Sequence, residues 1–388
     1  MRILHTENSL GWGGQEIRIL TEAAGLIKRG HDVQLIAPPG SRIFAEAPAH
    51  GVPVTALPIA KKRLPGLLAL RRWLKANPVD VINTHSSTDS WLAALACATL
   101  GGTAAAAAGS GASAASSGRS APVTPVIVRT RHVSAPVSTN AATRWLYTRA
   151  AHTIVTTGEA LKQQLVRDNG FPAERIVSIT TGIDLARFAP ASAALQAATR
   201  ARLKLPRDKR IIGIVATLRS WKGHRFLIEA FATLQRADTH LLIVGDGPQR
   251  QAVEQLIVQH GLGVSVTLAG NQTNVVPWLQ CMDVFALPSY ANEGVPQAIL
   301  QAFACGLAVL TTAAGAIAEV ALDNETGIIV PMQDAAALAQ GLARVLDDGA
   351  LRTRLGAAAL EQARTRHGID VMLDRMEAVF LRAAGQLN

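Results

Sequence analysis

The chain has 388 residues, 49% of them apolar, and a formal net charge of +10. The length suits two domains with separate cores, and the apolar fraction excludes a disordered or fibrous chain. The charge is uneven: residues 1–190 hold 20 Lys/Arg against 11 Asp/Glu and residues 191–388 hold 18 against 17. The first half therefore faces something acidic, or the chain comes from a generally basic proteome.

Arg2–His5 reads as a short apolar strand. It runs into Gly11-Trp-Gly13-Gly14-Gln-Glu16, and a helical pattern follows through Ile17, Leu20, Ala24 and Ile27. Arg29-Gly30-His31 stops that helix and Val33–Ala37 is the next strand. Strand, Gly-rich loop, helix and strand make a βαβ unit. Glycines at that loop let backbone N–H groups come close to a phosphate or substrate, or serve a tight turn only. The G-x-G-x-x-G pattern is incomplete, and no acid follows the second strand (Ala37-Pro38-Pro39), which speaks against a dinucleotide.

Val54–Leu57, Val79–Asn83, Val126–Thr130 and Thr153–Thr156 read as further strands with helical segments between. The alternation predicts a doubly wound parallel sheet. His85 and His132, in Arg129-Thr-Arg131-His132, each follow a strand, so both are candidates for the cleft. The stretch Lys61-Lys62-Arg63 through Arg71-Arg72-Trp73-Leu74-Lys75 sets six cations around leucines. It reads as a segment able to lie on an anionic membrane, or as an ordinary outer helix. Residues 101–122 are low-complexity Ala/Gly/Ser and predict a mobile surface loop.

A second alternation follows Asp184-Leu-Ala-Arg187-Phe188. Strands are expected at 211–216, 241–244, 264–268, 283–286 and 308–311, and helices at 223–234, 249–260, 274–280, 335–347, 351–365 and 367–384. Two Rossmann-like domains imply a cleft between the carboxyl ends of two sheets. Arg219-Ser-Trp-Lys222-Gly223 puts a planar fork and a mobile point charge at a helix start. That suits a diphosphate and needs no metal, or is solvated surface charge. Glu293-Gly-Val-Pro-Gln-Ala-Ile-Leu-Gln301 sets a carboxylate where a loop enters a helix, a good place to grip sugar hydroxyls beside amides that favour phosphate.

Cys97, Cys281 and Cys305 lack C-x-x-C spacing and read as reduced and buried, with no zinc site. The first residues have no signal-peptide layout, and no run is long and apolar enough to span a bilayer. Aromatic residues make up only 4%, and no nucleic-acid-binding motif is present, so nucleic acid is not an expected partner.

Several of these motifs in order resemble the GT-B glycosyltransferases of family 4. They are Gly13-Gly14-x-Glu16, Thr181-Gly-Ile-Asp184, Arg219…Lys222-Gly223, Gly245-Asp-Gly-Pro248, Glu293-Gly-x-Pro296, Ala302-x-Ala-Cys-Gly306 and Thr326-Gly327. The resemblance implies an α/β fold with two Rossmann-like domains facing a central cleft. Residues 1–188 would bind the acceptor and 189–366 the nucleotide sugar, while 367–388 would cross back as a helix. It implies retaining transfer of a sugar from a nucleotide diphosphate donor to a cell-envelope glycan or glycolipid, at the inner face of the cytoplasmic membrane, without a metal. Arg219 and Lys222 would neutralise the diphosphate, and Glu293 would bond the transferred sugar. The amides of Gly294, Val295 and Gln297 would hold sugar or phosphate, while Pro296 cannot donate. His132 would face the donor or acceptor. Gly13, Gly14, Glu16 and His85 would line the acceptor or phosphate loop. Two positions depart from the family: Thr181 stands for Asn, and Gln301 for the second Glu, which would accept from both ribose hydroxyls. A Gln carbonyl accepts without the charge that strengthens such bonds. An epimerase of the same fold, a phosphorylase and a non-catalytic binding protein are the alternatives.

Overall fold

The computed structural model describes residues 1–100, 124–291 and 293–387, so the predicted loop over 101–122 lies outside the described residues. Two all-parallel sheets carry the chain. The first holds β1 (Arg2–Thr6), β2 (Asp32–Ala37), β3 (Val54–Ala56), β4 (Val81–Thr84), β5 (Val126–Arg131), β6 (Thr153–Thr156) and β7 (Ile176–Ser178). The second holds β8 (Arg210–Val215), β9 (Thr239–Val244), β10 (Val266–Gly270), β11 (Val284–Leu287), β12 (Ala308–Thr311) and β13 (Gly327–Ile329). Their orders are β3-β2-β1-β4-β5-β6-β7 and β10-β9-β8-β11-β12-β13. Both orders turn between a first strand and its later neighbour, at β1/β4 and at β8/β11. Ligands of open α/β sheets settle in the crevice beyond the carboxyl ends at such a turning point.

Helices on both faces make the central strands apolar throughout rather than alternating. All six residues of β9 are buried, and only Arg2 of β1 is exposed. In the first sheet, neighbouring residues enter opposite layers, as strand geometry requires. Ile3, Val33, Val81 and Val128 pack against the helix Gly14–Lys28. Leu4, Ile36, Ile82 and Ile127 pack against Leu70 and Leu74 of the helix Leu64–Ala76 and Leu92 of the helix Ser87–Ala98. β7 and β13, three-residue strands each paired along one side only, are not among the strands expected from the sequence.

The first of these layers is closed by the last helix, Ile369–Ala383. Its Met372, Leu373, Met376, Val379 and Phe380 join that core at 4% exposure or less. At roughly 1.5–3 kcal/mol per fully buried apolar side chain, five of them contribute on the order of 10 kcal/mol of gross burial. Arg29 fixes the register by pairing with Asp374 at 2.7 Å and Glu377 at 3.0 Å. The chain thus crosses twice between the sheets, and the crossings bind each other. Ile183 N–H donates to the His367 carbonyl at 2.8 Å, and Ile369 N–H to the Ile183 carbonyl at 3.0 Å. Among the described residues no helix is long and apolar enough to cross a membrane, and the three cysteines are free and buried.

Candidate active site

The second-domain wall of the cleft is built where β8 and β11 end. After β8 the chain makes a short turn, Ser220–Lys222, and Gly223 follows at φ +76°. A Cβ at Gly223 would collide with the Pro288 carbonyl. Only glycine lets this turn press against the end of β11, where Tyr290 N–H donates to the Trp221 carbonyl at 2.8 Å. That contact brings Lys222 Nζ to 2.6 Å from Glu293 Oε1, with Glu293 only 4% exposed. Arg219 is exposed, with its guanidinium 5.4 Å from the Trp221 ring centroid. It makes no side-chain hydrogen bond or ion pair among the described residues. Gly294, Val295 and Pro296 lead into the helix Gln297–Ala304, whose second turn carries the buried Gln301. The Oε1 of Gln297 is buried without a hydrogen-bond partner.

The first-domain wall carries a file of three histidines. His5 is the penultimate residue of β1, His85 follows β4 and His132 follows β5. His5 Nδ1 lies 3.0 Å from His85 Nε2, and His85 Nδ1 lies 3.1 Å from His132 Nε2. Burial holds all three imidazoles neutral: His5 falls to about 3, and His85 and His132 fall well below their usual value. For His132 the Arg18 and Arg131 charges add to burial, and for His85 the neighbouring rings and Arg18 do so. Each contact therefore has one ring donating and the next accepting. In either polarity the outer ring nitrogen of His132, Nδ1, is left for a ligand.

Beside this file sit two carboxyl groups. Glu7 rises to about 8, first through burial and then through Asp89, and it accepts from Ser9 N–H at 2.7 Å and Gln15 Nε2 at 2.5 Å. Glu16 is buried in the first turn of its helix, next to Gly13. Among the described residues no three His, Cys, Asp or Glu side chains gather as a metal-holding group.

The two walls touch. A Cβ at Gly294 would meet Thr157 Oγ1 and come within 2.9 Å of the His132 carbonyl. Gly14 faces Gln297, 3.5 Å from the position its Cβ would take. Glu319, from the second domain, accepts from the N–H groups of Glu159 at 2.6 Å and Ala160 at 2.5 Å, which satisfies the free end of the helix Glu159–Asn169 across the cleft.

Sequence reading had marked Gly14, His85, His132, Lys222, Glu293, Gly294, Gln297 and Gln301, and the fold brings them to the two facing walls. Of the six cations, Lys62 reaches Ser87 Oγ, two residues after His85, and the others flank or sit on the helix Leu64–Ala76. The helix Leu64–Ala76 buries Gly66, Leu70 and Leu74, while Leu64 and Leu68 are 64% and 52% exposed amid Lys61, Arg63, Arg72 and Lys75. Arg71 is tied to Thr99. Sequence reading missed His5, Glu7 and Glu319. His5 and Glu7 become visible only once β1 is known to lie beside β4, which spacing alone does not reveal.

Residues 12–187 match the family described as Glycosyltransferase Family 4, and residues 196–362 match Glycosyl transferases group 1. A D-inositol 3-phosphate glycosyltransferase of Thermomonospora curvata is 30% identical over 58% of this chain and 56% of its own. The lipopolysaccharide core biosynthesis glycosyltransferase LpsE of Rhizobium meliloti is 30% identical over 55% of this chain and 59% of its own. The chain spans somewhat more than half the length of these relatives. Among solved structures, Anabaena Alr3699/HepE in complex with UDP-glucose superposes with a TM-score of 0.84 at 18% identity, over 98% of this chain and all of that one. That likeness speaks for the fold.

Proposed function

Because the chain belongs to the family 4 glycosyltransferases of GT-B fold, we propose that it moves a sugar from a nucleotide diphosphate donor to a cell-envelope glycan or glycolipid, with retention at the anomeric carbon. The observation that carries this reading is the Lys222–Glu293 pair at the β8/β11 turning point, opposite His132. In the free protein each charge satisfies the other. A bound donor would share them: the diphosphate draws on Lys222 and on the uncommitted Arg219, and Glu293 accepts from sugar hydroxyls. Leaving-group charge is stabilised by fixed cations and by the amides that open the helix Gln297–Ala304, and these act most strongly where water is excluded. Arg219 and Lys222 take the place that a metal ion would fill.

His132, neutral and half-buried, offers one ring nitrogen to donor sugar or acceptor hydroxyl. Gln301 lies one turn further along the same helix, where a ribose would be read through its carbonyl. The basic helix Leu64–Ala76, with Leu64 and Leu68 outward, supports an acceptor delivered from an anionic membrane surface.

The test is transfer from UDP-glucose and other nucleotide sugars to glycolipid acceptors in phosphatidylglycerol vesicles, with vesicle co-sedimentation read on the same samples. Glu293→Ala is expected to lower transfer at least about 100-fold by removing charge-assisted bonds while Tm stays near that of the parent. Unchanged turnover would sink the assignment, product from donor alone would point to an epimerase, and absence from the vesicle pellet would remove the membrane surface.

A further inference from the structure

Thr6, Thr84 and Arg129 stand side by side in register on β1, β4 and β5. Two of the three have partners: Thr6 donates to Asp89 Oδ2 at 2.9 Å, and Thr84 Oγ1 accepts from Ser90 at 2.9 Å. Arg129 is 5% exposed, its guanidinium lies 4.4 Å from the Tyr147 ring centroid, and its Nε and Nη1 are buried without a hydrogen-bond partner. No ion pair of Arg129 occurs among the described residues. Burying a cation in that state is unfavourable, and a counter-ion would offset the cost.

The nearby acids offset it only in part: Asp89 feels the Arg129 charge, but among the described residues no hydrogen bond or ion pair joins the two. Asp89 is spent on five hydrogen bonds, from Ser86 N–H and Oγ, Ser90 N–H, His85 N–H and Thr6 Oγ1. Glu7 is taken by Ser9 and Gln15 and titrates only near pH 8. The other neighbours are cations. Arg131 donates to Tyr147 Oη at 3.3 Å. Lys62 donates to Ser87 Oγ at 3.0 Å and lies 5.8 Å from the Trp91 ring centroid. Burial, and after it the Arg129 charge, lowers the Lys62 ammonium, so the two cations feel each other.

Beside them Trp91 and Trp145 stack at 5.8 Å, with Trp145 37% exposed, an aromatic surface on which a sugar ring can pack. The patch adjoins the transfer site, because Arg129 lies three residues before His132 and Asp89 holds the backbone of His85.

We propose that Arg129 and Lys62 bind an acidic group, a carboxylate or a phosphate ester, on the acceptor glycan, whose ring lies against Trp91 and Trp145. The guanidinium fork fits either anion with two parallel bonds. This rests on the glycosyltransferase reading and names its acceptor class: a glycan acidic near the hydroxyl that receives the sugar.

The experiment is an NMR titration of the full chain with methyl glucuronide, glucose 6-phosphate and neutral methyl glucoside, each with UDP present, and with UDP alone. At least one acidic sugar is expected to bind tenfold or more tightly than methyl glucoside, and the stronger of the two identifies the acid. Arg129→Gln is expected to erase that preference and leave UDP affinity unchanged. Lys62→Gln, at an exposed site that cannot unfold the protein, is expected to weaken acidic sugars three- to tenfold. Equal binding of all three sugars by the parent overturns the proposal, as does an intact preference in Lys62→Gln and in folded Arg129→Gln. Loss of UDP binding by the parent would instead count against the glycosyltransferase reading.

Discussion

Gly294 is where the two halves of the cleft meet most closely, and Gly294→Ala puts a number on that contact. The added methyl would press on Thr157 Oγ1 and stand 2.9 Å from the His132 carbonyl. Carbon makes comfortable contacts at about 3.5–4.0 Å, so one surface must retreat by roughly 1–1.5 Å. Overpacking of this kind costs typically about 1–3 kcal/mol. Glu293 and Gly294 lead off β11, whereas Thr157 and His132 lead off β6 and β5. The strain therefore falls on the approach of the two domains and not on either core. The expected result is a fall in kcat/KM for transfer of about 5- to 150-fold, with Tm shifted by less than about 2 °C. Steady-state kinetics and a thermal melt on the same preparation check it. Thr157→Ala removes the nearer obstacle, so the double variant is expected to recover part of the loss, a coupling that the single variants do not show. Wild-type kinetics for Gly294→Ala, a large fall in Tm, or strictly additive effects would refute the idea that the walls close on each other here.

Two further outcomes follow from the same geometry. Gln301→Glu restores a charged acceptor on the second turn of the helix, and calorimetry is expected to show UDP binding up to about tenfold tighter, because bonds to charged groups contribute about 1.5–3 kcal/mol against about 1 for neutral ones; equal or weaker binding would remove Gln301 from the ribose. His5 titrates at about 3 in the folded chain against 6.5 when exposed, so the unfolded chain takes the proton first, and stability is full above pH 6.5 and declines as pH falls toward 3. His5→Gln is expected to flatten the fall of Tm between pH 6.5 and 4, and a slope equal to that of the parent would show that the file of histidines does not set acid stability.

The parts of the site legible in the sequence are those held by local constraint. Gly223 and Gly294 are fixed because a backbone or side chain passes too near for any Cβ, and Lys222 and Glu293 sit at loops that directly follow strands. The alternation of apolar runs with helical periods likewise reveals two parallel sheets. What stays hidden depends on which strands lie side by side. His132 read alone looks like one histidine at a strand end. Only the order β1-β4-β5 shows it to be the outermost of three, with His5 at the buried end. Arg129 read from sequence is one more cation in a basic half, and its lack of a partner appears only when the hydrogen bonds of Asp89 are followed one by one. Glu319 lies far along the chain from the helix end it satisfies, and no spacing rule connects them.

The return of the last helix to the first sheet also sets an order of assembly. Ile3, Val33 and Val81 wait for Met372, Leu373 and Phe380, which are made after every strand of the second sheet. At about 5–20 residues per second, the interval between Ser178 and Ile369 amounts to roughly 10–40 s of synthesis. For that time the amino-terminal half lacks the helix that closes this layer beside Gly14–Lys28, while the strands of the second half are being made. The first layer is thereby completed only after every strand of the second sheet has been made, and the surface a chaperone would hold is the one that Ile369–Ala383 later covers.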